Sequence, residues 1–294
     1  MNEPVDLVGG LVRFKLDFAY DGTDFNGWAK QPGLRTVQGE FLAALEVIFE
    51  ADPNEYGLVV AGRTDAGVHA RHQVLHIDLS ADQLQRLGRH NKPEIRNEKL
   101  LGRLNSLLPD DIRVFTLGEA PAGFDARFSA IHRRYRYRIA DAVAVKDPLE
   151  ARGTLWTNRP LNVTAMNEAG QLLLGLNDFA AFCKPREFST TIRDLKEITV
   201  HRRIDENQTV EVELMADAFC HNMVRAIVGA LIAVGEGRAE PADVKDRLDS
   251  ASRVGSYKVV GSQGLTLLEI GYPADDLLAT QAKEARALRT LEED

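Results

Sequence analysis

The sequence predicts an α+β protein with a mostly antiparallel sheet. Segments with a hydrophobic period of two recur along the whole chain. Helical segments lie among them without the steady strand–helix alternation of a doubly wound fold. The length of 294 residues suffices for one large domain or two ordinary ones, each with a real core.

The first strand is 12–20, VRFKLDFAY. Val12, Phe14, Leu16, Phe18 and Tyr20 share one face, and Arg13, Lys15 and Asp17 share the other. Asp21-Gly22 ends it as a turn. Thr36 is the expected N-cap of a helix in which Val37, Phe41, Leu45 and Ile48 recur at helical spacing. A short apolar strand over 58–61 runs into the loop Gly62-Arg63-Thr64-Asp65-Ala66-Gly67-Val68-His69-Ala70. Leu75, Ile77 and Leu79 then alternate with polar residues as another strand. The polar stretch 82–97, with Gly88 and Pro93, reads as a loop or insertion. Leu100, Leu101, Leu104 and Leu108 mark a helix that stops at Pro109.

Residues 131–139 alternate again, with Tyr135, Tyr137 and Ile139 on one face and Arg134, Arg136 and Arg138 on the other. A weak junction at 145–160 divides the chain into an N-terminal half, 12–145, and a C-terminal half, 146–273. A charged tail, 274–294, follows. The second half predicts a helix at 163–174, strands at 192–200 and 209–215, an apolar helix at 222–234, a helix after Pro241 and a closing strand at 265–270. No internal repeat is visible.

Composition bounds the function. No stretch approaches the roughly 18 apolar residues of a membrane span, and the N-terminus lacks the basic flank and apolar run of a signal peptide. The two cysteines, Cys183 and Cys220, suggest no disulfide framework, so a cytoplasmic location is expected. The net charge of −8 argues against a nucleic-acid partner if taken alone. Charge distribution argues otherwise: five arginines and no acid lie between Arg127 and Arg138, while the tail from Asp275 holds six acids and three bases. Arg134, Arg136 and Arg138, with Arg127 and Arg133, suit phosphate contacts, or form a solvated face.

The loop 62–70 is the most informative segment. Two glycines bracket an arginine and an aspartate, and a strand delivers them to a fixed place. An Asp beside an Arg stays ionised and can act as a nucleophile. Composition alone would favour an Asx-turn or helix cap. Arg63 and Asp65, two residues apart, project to one side of an extended segment. His69, His72 and His76 lack the helical spacing of a paired-histidine metal site, so no metal is expected. No Walker or Rossmann glycine pattern is present, and no cofactor is implied.

AGRTDAGVHA resembles the signature of the bacterial tRNA pseudouridine synthases of the TruA type. YDGTDFNGW (20–28), RTVQGEF (35–41), FDARFSAIHRRYRY (124–137), FCHNMVRAIVG (219–229) and GLTL (264–267) are similar to further motifs of that family, in family order. Ala29 stands where the family commonly has glutamine. The resemblance implies the pseudouridine synthase fold: two similar halves, each a mostly antiparallel sheet flanked by helices, with the active-site cleft between them. It implies an isomerase that converts uridine to pseudouridine at positions 38, 39 and 40 of the tRNA anticodon stem-loop, working as a homodimer, after flipping the nucleotide out of its stack.

By the same resemblance, Asp65 is the nucleophile and Arg63 holds it and the extruded nucleotide. Tyr135 stacks on the base and takes part in proton transfer from C5. Arg225, a cation in an apolar helix with His221 one turn earlier, pairs with Asp65. Leu265 lines the base pocket. Without the motifs, Arg63 is a structural ion pair, Tyr135 a core tyrosine and Leu265 plain core. Two other readings compete. An RNA-binding module without catalysis would need exposed stacking aromatics, and a glycosidase would need a second carboxylate across the scissile bond.

Overall fold

A computed structural model describes residues 10–87, 92–186, 190–252 and 257–287. Their contacts form two compact units, one of residues 10–131 with 270–287 and one of residues 132–269.

In the first unit, β1 (Leu11–Tyr20) realises the first alternating segment, with Phe14, Leu16, Phe18 and Tyr20 all at most 4% exposed. The Thr36 hydroxyl accepts from the Gly39 N–H and starts α1 (Val37–Phe49). Phe41 of α1 packs edge-on against Phe18 at 4.9 Å, and Trp28 closes the cluster 5.8 Å from Phe18. The two-residue β2 (Val59–Val60) and the long β3 (His69–Ser80) flank the loop 61–68. β3 is longer than its alternating part predicts because residues 73–77 are buried on both faces, Gln73 and His76 included.

The stretch 82–97 departs from the expected loop. Ser80 and Gln83 form a reciprocal capping box at the start of α2 (Ala81–Arg86), and Pro93 opens α3 (Pro93–Leu107) at its first turn. The polar composition concealed α2 and the first turns of α3, because exposed helical turns carry few apolar residues; the later turns of α3 are the helix that Leu100, Leu101 and Leu104 predict. Then β4 (Ile112–Glu119), which the sequence reading did not name, pairs antiparallel with β1. Sheet order in this unit is β4-β1-β3, with β2 on β3.

The second unit opens with β5 (His132–Ala140), on which the two-residue β6 (Leu155–Trp156) pairs in parallel. Next come α4 (Val163–Gln171), β7 (Gly175–Asp178), a 3₁₀ turn (Ala180–Phe182), β8 (Ile192–Arg202) and β9 (Val210–Ala216). The expected helix at 163–174 is therefore shorter, and its end gives way to β7. The apolar α5 (Met223–Gly235) and α6 (Pro241–Asp249) follow, then β10 (Leu265–Gly271). Sheet order here is β10-β5-β9-β8-β7, with α4 against β8 and α5.

Chain returning to the first unit forms a 3₁₀ turn (Asp275–Leu277) and α7 (Leu278–Glu284) within the charged tail; residues 288–294 lie outside the described ones. The sequence placed boundaries near 145 and 273, whereas contacts divide at 131/132 and 269/270. The shift follows β5, which pairs with β9 along its length. Among the described residues no helix is long and apolar enough to cross a membrane.

Candidate active site

The loop carrying Asp65 is held mainly through its backbone. The Ala61 N–H donates to the Val74 carbonyl at 2.8 Å, and the Gln73 amide donates to the Gly62 carbonyl at 2.8 Å. Thr64 points inward and is buried, while Arg63 is exposed and Asp65 half-exposed. This in–out order is what an extended segment imposes. The Asp65 carbonyl then accepts from the Val68 N–H at 3.2 Å, closing a turn whose third residue, Gly67, has φ +75°.

The segment 20–28 wraps this loop. Trp28 N–H donates to the Thr64 carbonyl at 3.1 Å, and Gly67 N–H donates to the Phe25 carbonyl at 3.2 Å. Gly22 N–H donates to His69 Nδ1 at 3.1 Å. A Cβ at Gly22 would lie 2.0 Å from the Val68 carbonyl oxygen, so only glycine permits this approach. The three histidines have separate partners: His69 takes Gly22, His72 pairs with Asp17 at 2.9 Å, and His76 accepts the Ala126 N–H at 3.0 Å.

Arg127 is exposed in the same unit. Asp125 shapes its loop by accepting from the N–H groups of Arg127 and Phe128, both at 2.9 Å. The Arg127 and Arg286 guanidinium groups lie 5.1 and 4.6 Å from the Phe128 ring centre.

The other site candidates belong to the second unit. Tyr135 on β5 is 8% exposed, and its ring stands edge-on to Phe219 at 5.1 Å. Phe219 was named in the sequence only as part of a motif; its ring pairing with Tyr135 is a tertiary fact. Arg225 sits in the first turn of α5 and donates through Nε to the Val260 carbonyl at 2.8 Å. His221 does not share its helical face: Asn222, at φ +69°, breaks the path and α5 begins at Met223. Leu265 is 6% exposed at the start of β10.

The arginine face of β5 is charge-compensated. Arg134 pairs with Glu197 at 2.8 Å and Glu269 at 3.6 Å. Arg136 lies 3.4 Å from Glu211, and Arg138 lies 3.2 Å from both Glu211 and Glu150. Strands β8, β9 and β10 bring Glu197, Glu211 and Glu269, and the turn before Ala151 brings Glu150, so the basic run in sequence meets acids of the same sheet and its border.

Comparison with known proteins decides the family. A family model described as tRNA pseudouridine synthase matches residues 169–273. The chain is 50% identical to "tRNA pseudouridine synthase A" of Leifsonia xyli subsp. xyli, covering 95% of this chain and 98% of that protein. It is also 50% identical to the protein of that name from Streptomyces avermitilis, covering 96% and 95%. The Cutibacterium acnes protein of that name is 45% identical, covering 95% and 96%. The chain belongs to the tRNA pseudouridine synthase A family. It is an isomerase of that class.

This synthase differs from the sequence expectation in its cysteines. Cys183 and Cys220 form a disulfide, with Cα atoms 5.7 Å apart and a sequence separation of 37. The expectation failed because pairing depends on where the 3₁₀ turn and the loop before α5 meet. Closing a loop of this length stabilises the folded state by about 3–4 kcal/mol in the chain-entropy account. Reduction, or Cys220→Ser, is therefore expected to lower unfolding stability by about 3 kcal/mol. A urea titration unchanged by dithiothreitol would contradict this.

Acid should act on this synthase in two steps. Burial, with help from the Arg13 charge, pushes His76 down to about 4 from 6.5. An unfolded chain takes up that proton below pH 6.5 and the folded one does not, so stability declines as pH falls from about 6.5 towards 4, by about 3 kcal/mol. Burial would raise Asp17, but hydrogen bonds from His72 and Thr116 and the Lys15 charge outweigh it and hold it at about 2. Its contribution is present above about pH 4 and is lost as pH falls through 2. In denaturation curves across this range, His76→Asn should flatten the first decline and leave the second.

Proposed function

We propose that this enzyme converts uridine to pseudouridine in tRNA at positions 38, 39 and 40 of the anticodon stem-loop, with Asp65 as nucleophile. The observation that carries the reading is the Asp65 loop. A half-exposed carboxylate stands on a backbone fixed by five hydrogen bonds: Gln73, Trp28 and Val68 donate to its carbonyls, and its own N–H groups donate to the Phe25 and Val74 carbonyls. Such fixing is what a nucleophile needs and what a solvated surface acid lacks.

The reaction breaks N1–C1′, turns the uracil and joins C5 to C1′. The C5 proton leaves and N1 gains one, so the reaction is redox-neutral and needs no cofactor. Attack at C1′, attack at C6 and removal of the C2′ proton all call on a fixed carboxylate. Arg63, exposed beside Asp65, is assigned to the carboxylate and the extruded nucleotide. Tyr135 is assigned to the base, with its hydroxyl in the late proton transfer from C5. Its edge-on contact with Phe219 fixes the ring plane. Arg225 and Leu265 complete substrate binding, Arg225 being oriented by Val260. Arg127 contacts phosphate. Arg134 and Arg136 can do so only by exchanging Glu197 and Glu211 for the RNA. The enzyme works as a homodimer with one tRNA across both subunits.

The test is tritium release from tRNA labelled at uridine C5. Release into water is expected, since C5 loses its hydrogen. It should disappear when uridines 38, 39 and 40 of the transcript are replaced by cytidine. Label retained by the unmodified transcript overturns the activity, and release that survives the replacement overturns the positions. Light scattering should give twice the chain mass.

A further inference from the structure

Beneath the Asp65 loop lies a polar cluster in which only Gln73 has so far been given a role, its bond to the Gly62 carbonyl. Tyr20, Thr64 and Gln73 are 4%, 8% and 0% exposed. The Tyr20 and Thr64 hydroxyls share a hydrogen bond of 2.7 Å. Gln73 donates to the Gly62 carbonyl at 2.8 Å, and its own amide oxygen accepts the Val74 N–H at 3.2 Å. Burial pushes the Tyr20 phenol up to about 12, so it stays protonated across the working range. Buried polar groups of this kind cost stability unless satisfied, and apolar residues would fill the same space with less risk.

Their placement shows what they hold. The register between β1 and β3 slips after Phe18, which faces Gln73, so that Tyr20 faces Ala70. The bulge directs the end of β1 at the loop, a recurrent use of bulges near functional sites. Gln73 fixes the residue before Arg63, and Tyr20 fixes the residue between Arg63 and Asp65. Gly62 is adjacent to Arg63, and Thr64 is adjacent to both Arg63 and Asp65.

We propose that Tyr20, Thr64 and Gln73 are positioning residues, a buried cradle that sets the place of Arg63 and Asp65 in the reaction. The inference rests on Asp65 being the catalytic carboxylate. None of the three touches substrate; they act through the loop backbone. A displacement of about 1 Å at a reacting group costs on the order of 10²-fold in rate.

The experiment compares the full-length enzyme with Tyr20→Phe, Thr64→Val and Thr64→Ser, using tritium release under single-turnover and steady-state conditions. Tyr20→Phe and Thr64→Val should lower kcat by about 10- to 100-fold, with KM within about twofold. Thr64→Ser, which keeps the hydroxyl, should recover most of the rate lost in Thr64→Val. Hydrogen exchange should quicken at the Gly67 and Val68 amides and not along β1. The proposal is overturned if both folded variants keep kcat within twofold of wild type. It is overturned equally if both lose their cooperative melting transition, since the cluster would then serve the core alone. Asp65→Asn run alongside separates the two ideas. An active Asp65→Asn removes the catalytic reading itself, whereas an inactive one beside a normal Tyr20→Phe removes only the cradle.

Discussion

Asp65→Asn is expected to bind tRNA with an affinity close to wild type and to form pseudouridine at least about 10⁴ times more slowly, the scale on which loss of a nucleophile acts. Asparagine keeps the shape of the side chain and loses its charge. The backbone contacts that hold the loop are made by the Thr64 and Asp65 carbonyls, the Gly62 carbonyl and the Gly67 and Val68 N–H groups, all of which survive the change. The substitution therefore removes the chemistry and leaves its scaffold. Filter binding of labelled tRNA and tritium release, measured on one preparation, read the two effects separately. An Asp65→Asn enzyme within tenfold of the wild-type rate would mean that another group breaks the glycosidic bond. Loss of tRNA binding with a rate intact at saturation would make Asp65 a binding residue.

Gly229→Ala should destabilise the second unit by about 2–3 kcal/mol, the range for forced overpacking. Alanine in a helix interior is ordinarily better than glycine by about 1 kcal/mol, so propensity predicts the opposite sign. The tertiary contact reverses it. A Cβ at Gly229 would stand 2.0 Å from the Lys258 carbonyl oxygen, a backbone atom that moves only with its segment. That segment is bound to α5 one turn earlier, where Arg225 and Val260 exchange two hydrogen bonds, Nε to carbonyl at 2.8 Å and N–H to carbonyl at 3.3 Å. Pushing 257–260 away therefore also releases the Arg225 guanidinium. Thermal melting should show a fall of about 5–10 °C for a unit of this size. The folded variant should show a raised KM for tRNA. A melting temperature at or above that of wild type would show that the segment yields freely.

Much of the fold could be read directly from residue spacing. The alternation in 12–20 and 131–139 and the Thr36 cap gave β1, β5 and α1 nearly to the residue, because half-buried strands and capped amphipathic helices write their period into the sequence. The short helix α2 and the first turns of α3 were hidden by their polarity, since exposed helical turns need few apolar residues, whereas Leu100, Leu101 and Leu104 marked the later turns of α3. β4 went unnamed although its neighbour β1 is clear. Among the site candidates, Asp65, Arg63 and Tyr135 were found through their motifs. Gln73, Tyr20 and Phe219 were not, because their roles consist of contacts with residues distant in the chain.

The sequence by itself determined where most of the strands and helices lie and the family to which the chain belongs. Each of these depends on neighbours within a few residues or on an ordered set of motifs. Only the tertiary structure decided the fate of the charges and the polar interior. The arginines of β5 look like an open phosphate-binding face until β8, β9 and β10 bring Glu197, Glu211 and Glu269 against them. Cys183 and Cys220, read as unpaired, meet across 37 residues. Electrostatic and hydrogen-bond energies depend on distance through space, and strand pairing sets that distance between residues that the linear sequence keeps far apart.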